Sequence, residues 1–119
     1  MTDIEGLQPT MYIIVNNDLG MSKGKIASQV GHVVEKITQL VLLSQISYQT
    51  YKDYCNSGHK KIILKGDEKT LRYFLEHHSK TCIQIIDAGL TEIPPDSLTV
   101  IGFMPSATNK ELFSGLKLL

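Results

Sequence analysis

Four short apolar runs, separated by longer polar or amphipathic stretches, most constrain how this chain of 119 residues can fold. Short runs rich in Val and Ile between turn residues are typical of buried strands. The stretches between them fit helices over about 22–43 and 46–57, and a third helix that opens after Gly66-Asp67. Strands that alternate with helices predict an α/β layer fold with a mainly parallel or mixed sheet. The four predicted strands cover residues 12–15, 61–65, 81–86 and 98–103.

Length and charge predict one globular domain without a strong overall field. We expect a short flexible lead-in at residues 1–10 and a single domain over 11–119, since 119 residues suffice for one hydrophobic core. Twelve Lys and Arg balance twelve Asp and Glu, so a nucleic acid partner must be bound by a local patch. No apolar run reaches the roughly 18–20 residues of a membrane span, and the N-terminus lacks a signal-peptide pattern. Cys55 and Cys82 have no metal-site spacing. We therefore expect a cytoplasmic protein with no membrane partner, no metal and no cofactor.

The segment 20–32 runs from the first predicted strand into the first helix and carries a stripe of polar side chains. Loop amides, a helix N-terminus and lysines at one place suit a phosphate or a developing oxyanion. A nucleotide P-loop is excluded, because Gly20 and Gly24 are one residue too close and Ile26 stands where that motif needs a hydroxyl. At about 100° per residue, the polar stripe consists of Lys25, Gln29, His32 and Lys36.

A second group of polar residues follows the third predicted strand. Asp87 closes that strand, and Thr91 and Thr99 lie further along the chain. Ligands of such sheets tend to bind beyond the carboxyl ends of strands, which is where both Asp87 and the lysine-bearing loop lie. A carboxylate after an apolar strand needs a cation or several donors, which makes Lys25 or Lys23 its expected partner. The alternative is that Asp87 only tethers its own turn, as Asp often does before Gly.

Taken in order along the chain, these residues resemble the archaeal and eukaryotic type of peptidyl-tRNA hydrolase. The resemblance extends from Met11 to Leu119. Each motif is short, and the ordered set makes the likeness specific. The motifs are Asp18-Leu19, Met21-x-Lys23-Gly24-Lys25, Ala27-x-Gln29-x-x-His32, Asp87-Ala88-Gly89-x-Thr91, Ile93-Pro94-Pro95, Thr99-Val100-x-Gly102, Pro105 and Leu116-Lys117-Leu118-Leu119.

This resemblance implies both a fold and a reaction. The fold would be a three-layer α/β/α sandwich around a four-stranded mixed β-sheet. The reaction would be hydrolysis of the ester that joins a peptide to the terminal ribose of tRNA, without a metal or cofactor, which frees tRNA for reuse in translation and serves ribosome rescue. The family's functional positions fall on Lys25, Asp87, Thr91 and Thr99, with His32 and Gln29 nearby.

We expect the catalytic residues to divide the work of ester hydrolysis. Lys25 would stabilise charge on the carbonyl oxygen, and Asp87 would orient the attacking water or act as its general base. Histidine titrates near neutral pH, so His32 stays open as an alternative base or as a structural residue. Thr91 and Thr99 would supply hydrogen bonds to water or ribose. The residues expected to bind the acceptor end of peptidyl-tRNA are Lys23, Gly24, Gln29, Lys36 and Lys65.

Two other functions and one assembly state stay open. Asn16 stands where the family often has Arg, which removes a cation near the site and permits an inactive module that binds RNA or phosphate. A protein-interaction adaptor is the second alternative, with a surface formed by Tyr48, Tyr51 and Tyr54 unless these pack on the second helix. A homodimer is the open assembly state.

Overall fold

The computed structural model describes residues 8–43, 48–88, 92–108 and 110–119, and for Tyr48 the backbone alone. The predicted strands and helices are confirmed within one or two residues at every described position. Positions 46 and 47, where the second helix was expected to begin, lie outside the described residues. In chain order the elements are β1 (Met11–Asn16), a 3-10 turn (Asn17–Leu19), α1 (Lys23–Leu43), α2 (Tyr48–Asn56), β2 (Lys61–Gly66), α3 (Glu68–His77), β3 (Cys82–Ile86), β4 (Leu98–Phe103), a second 3-10 turn (Lys110–Phe113) and β5 (Lys117–Leu118).

The strands form a mixed sheet in the order β3-β4-β1-β2-β5. β1 and β2 run parallel, β4 is antiparallel to both β1 and β3, and β5 is antiparallel to β2. The carboxyl ends of β1, β2 and β3 therefore meet at one edge of the sheet, which we call the carboxyl edge. The expectation of four strands is wrong, because β5 pairs Leu118 with Leu64 as a fifth strand. Its two residues are too few to produce a periodic signal in the sequence.

Two apolar clusters, one on each face of the sheet, confirm the three-layer α/β/α arrangement. On one face Ile13 and Val100 pack with α1 and α2, and on the other Ile14 and Ile101 pack with α3. We call these the α1 face and the α3 face. Every residue of β1 is buried, as expected for a central strand covered on both sides.

α1 turns one polar residue into the interior. Its buried residues recur every four positions, which places them in one row against the sheet. Gln29, which the sequence places in the polar stripe, lies in this buried row and is only 2% exposed. The row consists of Gln29, Val33, Ile37 and Val41.

Gly102 lets α1 lie close to β4. A Cβ atom at this position would be 2.7 Å from Cγ2 of Val33 and 3.1 Å from Cδ1 of Ile37. Contacts under 3.0 Å are not tolerated in a packed interior, so only glycine fits. The close approach brings Gln29, one turn before Val33, within hydrogen-bonding distance of β4.

A β-bulge in β4 directs Thr99 towards α1. Ile85 pairs with Val100 and Ile86 pairs with Leu98, so Thr99 is the extra residue between two ladder positions. Thr99 and Val100 consequently both contact the α1 face instead of alternating across the sheet. This irregularity is what positions the Thr99 hydroxyl.

The end of the expected lead-in is attached to the domain. The N–H of Thr10 donates to the carbonyl oxygen of Ser106 at 3.0 Å, and the N–H of Ser106 donates back at 3.1 Å. Residues 1–7 lie outside the described part, so the expected boundary after residue 10 stays a prediction. Among the helices of the described ranges, none has the length and apolar character needed to cross a membrane.

Candidate active site

Lys25 and Asp87 form an ion pair at the carboxyl edge. The Nζ atom of Lys25 lies 2.9 Å from Oδ1 of Asp87, and the two side chains are 11% and 10% exposed. Lys25 comes from the first turn of α1 and Asp87 follows β3, so the contact predicted between the two loops is present. Because both groups are largely shielded from water, their attraction is stronger than that of an exposed pair.

Gln29 and Thr99 support this pair from the interior. The amide Nε2 of Gln29 lies 3.5 Å from Oδ1 of Asp87, and Oε1 of Gln29 accepts a hydrogen bond from the Thr99 hydroxyl at 2.7 Å. The Thr99 Oγ1 atom also lies 3.2 Å from the carbonyl oxygen of Ile85. A carboxylate only accepts hydrogen bonds, so the Gln29 amide is stable with its NH₂ group towards Asp87 and its oxygen towards Thr99. Thr99, which is fully buried, therefore orients Asp87 through Gln29.

Glu92 binds the N-terminus of α1, a contact that no sequence pattern predicts. Its Oε2 atom accepts a hydrogen bond from the N–H of Ser22 at 2.8 Å, and its Oε1 atom accepts one from the Ser22 hydroxyl at 2.9 Å. The Ser22 oxygen in turn accepts the N–H of Lys25 at 3.2 Å. The bonds from Ser22, with a smaller contribution from the Lys25 charge, lower the pKa of Glu92 below its ordinary value. A carboxylate of the chain thus takes the loop amide that we expected to hold a phosphate.

His32 lies apart from the Lys25–Asp87 pair. At about 1.5 Å per residue, it is about 10 Å further along the helix axis than Lys25. Its side chain is 54% exposed, and its Nδ1 atom lies 3.9 Å from Oε1 of Glu35. The structure places it on a shallow groove of about 270 Å³ between α1 and β3, lined by His32, Glu35, Lys36, Gln39, Ile85 and Ile86.

The other expected binding residues are spread along the carboxyl edge and α1. Lys23 and Gly24 are exposed at the start of α1, beside Lys25. Lys65 is exposed near the end of β2, three strands from β3, which is about 14 Å at about 4.8 Å per strand. Thr91 lies outside the described residues, so its expected catalytic role stays a prediction.

Comparison with known proteins identifies the family. A profile of the family described as Peptidyl-tRNA hydrolase PTH2 matches residues 9–119, nearly the whole chain. The chain belongs to the PTH2 family. The resemblance read from the ordered motifs is thereby confirmed.

Curated relatives of this PTH2 chain come from archaea and from animals. A protein named peptidyl-tRNA hydrolase from Staphylothermus marinus is 36% identical over 113 residues, which cover 90% of this chain and 92% of the relative. One of the same name from Methanococcus maripaludis is 35% identical, covering 90% and 96%. The human protein named peptidyl-tRNA hydrolase 2, mitochondrial, is 36% identical over 99 residues, which cover 80% of this chain and 54% of that protein.

Asn16, at the position where the resemblance leads us to expect arginine, has a structural role here. It is 1% exposed, and its Nδ2 atom donates to the carbonyl oxygen of Leu98 at 2.9 Å and to Oε1 of Glu68 at 2.6 Å. Its Oδ1 atom accepts the N–H of Asp18 at 3.0 Å. The side chain is thus used to join β1, β4 and α3, and it faces away from the Lys25–Asp87 pair.

Two of the three tyrosines of α2, Tyr51 and Tyr54, pack within the fold. Tyr54 is 1% exposed, and burial is the main cause that raises its pKa to about 12. The hydroxyl of Tyr51 lies 2.7 Å from Oγ1 of Thr38 on α1. The side chain of Tyr48 lies outside the described part. Two of the three residues on which the adaptor alternative depends are therefore engaged within the fold.

The arrangement of Lys25 and Asp87 suits acyl chemistry. In the described ranges, no three His, Cys, Asp or Glu side chains converge closely enough to hold a metal ion. The pair instead offers an ammonium group with three donors next to an oriented carboxylate. Such a cation and base, side by side, can stabilise an oxyanion and accept a proton from water.

Proposed function

We propose that this chain hydrolyses the ester bond between peptide and tRNA in peptidyl-tRNA, releasing free tRNA. The observation that carries the proposal is the ion pair of Lys25 and Asp87, which is 2.9 Å long, largely buried and oriented by Gln29 and Thr99. Membership of the PTH2 family supports the choice of substrate. The acceptor end of tRNA is the part of the substrate that would reach this site, since every peptidyl-tRNA shares it.

In the proposed reaction a water oxygen attacks the ester carbonyl carbon, and Asp87 takes the proton that the water loses. Lys25 retains its contact with Asp87 and uses a second N–H to stabilise the negative charge on the carbonyl oxygen. The tetrahedral intermediate then collapses, and the bond from carbon to the ribose oxygen breaks. The ribose oxygen takes the proton back from Asp87, which leaves free tRNA and a peptide carboxyl group.

We assign the general base to Asp87 and give His32 a secondary place. Asp87 contacts Lys25 directly, so the proton acceptor and the oxyanion donor are adjacent. His32, about 10 Å further along α1, lies on an exposed groove where Lys36 also lies. His32 and Lys36 would contact the substrate beyond the ester.

Thr99 and Thr91 receive different roles in this proposal. Thr99 is fully buried and hydrogen-bonded to Gln29, so it acts as a positioning residue and not as a donor to ribose. Gln29, assigned to substrate binding from the sequence, would likewise act on Asp87. Thr91 keeps the proposed role of donor to water or ribose.

Binding of tRNA would depend on phosphate contacts near the carboxyl edge. Lys23, the backbone at Gly24 and Lys65 are exposed there and would bind phosphates, so affinity should fall as salt rises. We place the protein in the cytoplasm, where it would serve ribosome rescue. A homodimer remains the alternative to a monomer, and sedimentation would decide between them.

The test is release of free tRNA from purified peptidyl-tRNA in the presence of a chelator. We expect the wild-type chain to release tRNA as fast with the chelator as without it. Lys25→Ala and Asp87→Asn should release tRNA far more slowly. Circular dichroism should show that both variants are folded. Lys110→Ala removes an exposed lysine of the 3-10 turn Lys110–Phe113 and is the matched control for loss of a lysine. If the wild-type chain shifts the electrophoretic mobility of peptidyl-tRNA but does not cleave it to free tRNA, the inactive binding module is the correct function.

A further inference from the structure

A second cleft lies at the carboxyl edge, between the ends of β1 and β2. The chain leaves β1 towards α1 on one face of the sheet and leaves β2 towards α3 on the other. Adjacent parallel strands whose connections diverge in this way form a crevice in which α/β proteins commonly bind ligands. A cavity of about 290 Å³ occupies this crevice, and its charged lining residues are Asp18, Lys65, Asp67 and Lys117.

Two lysines face each other across this cleft. Lys65 of β2 and Lys117 of β5 are direct cross-strand partners, so both side chains project from the same face of the sheet. Both are exposed, and within the described ranges neither lies within 4.0 Å of a carboxylate oxygen. Like charges directly opposite each other destabilise a strand pair. An anion between them would remove that repulsion.

The acidic residues of the cleft are occupied elsewhere. Oδ2 of Asp18 accepts the N–H of Glu68 at 2.8 Å, and Oδ1 of Asp67 accepts the N–H of Thr70 at 2.8 Å. Both carboxylates thus cap the start of α3, where the helix dipole favours negative charge. The helix N-terminus offsets part of their negative charge, and Lys65 and Lys117 are the cations of the cleft lining.

The cleft and the ester site share one edge and one face of the sheet. Ile63, two residues before Lys65, packs on the α1 face, and so does Ile85, two residues before Asp87. Side chains two positions apart along a strand project to the same side. The separation from β3 is about 14 Å to β2 and about 19 Å to β5, at about 4.8 Å per strand. A stacked RNA strand rises about 3.4 Å per nucleotide, so these two distances correspond to about four and about six nucleotides.

We propose that Lys65 and Lys117 form a subsite for the RNA backbone, which binds phosphates about four to six nucleotides from the 3′ end of the acceptor strand. The inference rests on the proposed function for the identity of the RNA. It adds Lys117 to the residues expected to bind tRNA, and it gives the distance along the RNA from the ester to the bound phosphates. With the ester held beside the Lys25–Asp87 pair, the strand runs along the carboxyl edge across β4 and β1. A free phosphate or mononucleotide would offer the same charge without the tether to the ester site.

The first experiment measures binding of a deacylated hairpin RNA that carries the acceptor stem and its single-stranded 3′ end, by fluorescence anisotropy. We expect the double variant Lys65→Gln/Lys117→Gln to bind about tenfold more weakly, and its salt dependence to be shallower by about 1.4–1.8 logarithmic units per decade of salt. Lys110→Gln, with an exposed lysine on the 3-10 turn outside this cleft, is the matched control and should bind like wild type. Inorganic phosphate and AMP, added as competitors, should displace the RNA only weakly if the subsite binds the backbone of an RNA strand.

The second experiment locates the phosphate. Single uncharged methylphosphonate linkages are placed along the last eight nucleotides of the same RNA. We expect wild type to lose affinity when the neutral linkage lies about four to six nucleotides from the 3′ end, and the double variant to be insensitive to that change. An unchanged affinity of the double variant, or the same sensitive linkages in both proteins, would overturn the proposal. Because the RNA carries no ester, a chain that binds in this way but releases no tRNA would refute the proposed hydrolysis alone.

Discussion

The charged side chains at two regions of the carboxyl edge differ in burial and in pairing. After β3, Lys25 and Asp87 are about 90% shielded from solvent and satisfy each other. On β2 and β5, Lys65 and Lys117 are exposed, directly opposed and without a carboxylate partner in the described ranges. One face of one sheet therefore carries a closed, neutral pair and an open, doubly positive pair.

The difference indicates a division of labour. Buried and hydrogen-bonded charges are fixed before the substrate arrives, as is required to stabilise a charge that exists only in the transition state. Exposed lysines release counterions when they meet phosphates, which contributes affinity without demanding exact geometry. We therefore expect changes near β3 to act on the rate of the chemical step and changes near β2 to act on binding.

The largest expected effect is at the buried pair. Lys25→Ala and Asp87→Asn should each lower kcat by about 10²- to 10³-fold, as removal of an oxyanion donor does elsewhere. Because the two groups act as a unit, the double variant should be little worse than the poorer single variant. Steady-state release of tRNA measures this, and losses that multiply would show that the residues act independently.

Thr99 tests whether the interior orients the pair. Thr99→Val leaves the buried Oε1 atom of Gln29 without its donor, so we expect the free energy of unfolding to fall by about 1–3 kcal/mol. The carboxylate would also lose its fixed orientation, which should lower kcat by about tenfold. Thr99→Ser, which keeps the hydroxyl, should restore most of the rate.

Thr38→Val is the control for this prediction, because Thr38 makes a comparable contact with Tyr51 away from the site. It should cost stability without changing kcat. Equal rates for Thr99→Val and wild type at saturating substrate would show that Thr99 is a packing residue only.

Salt should separate the two regions in one set of measurements. Raising the salt concentration should raise KM, because phosphate contacts weaken, and leave kcat within about twofold, because the buried pair is screened little. The measurement is a series of Michaelis curves at four salt concentrations. A kcat that falls in step with the rise in KM would place the Lys25–Asp87 pair in contact with solvent ions.

The smallest expected effect concerns Glu92, whose pKa is lowered mainly by its bonds from Ser22. A carboxylate with a lowered pKa stabilises the fold above its ordinary pKa, and that contribution is lost as the pH falls through the lowered value. The amide resonance of Ser22 should therefore titrate with a midpoint below the ordinary pKa of Glu. Glu92→Gln should abolish this titration, and a midpoint above the usual value would contradict the contact.

The sequence predicts the main contact of the site but not its support. Asp87 could be assigned a lysine partner in advance, Lys25 or Lys23, because Asp87 and the lysine-bearing loop each follow a predicted strand. Thr99 could not be placed, because the two-residue period of a strand puts it and Val100 on opposite faces, and the bulge cancels that period.

Three other features could not be predicted from the sequence, each for a different physical reason. Gln29 reads as part of a polar stripe, and only the close approach permitted at Gly102 turns it inward. Glu92 reaches Ser22 across 70 residues from a backbone with a φ of 39°, which no local pattern encodes. β5 has two residues, too few for any period.

The measurement that tests the division of labour most directly is single-turnover cleavage of peptidyl-tRNA with enzyme in large excess. Three proteins are compared: wild type, Lys25→Ala and Lys65→Gln/Lys117→Gln. We predict that Lys25→Ala reaches half-saturation at the same enzyme concentration as wild type but with a maximal rate lower by about 10²-fold or more. The double variant should need about tenfold more enzyme and then approach the wild-type rate. The reverse pattern, or the same defect in both variants, would contradict the account.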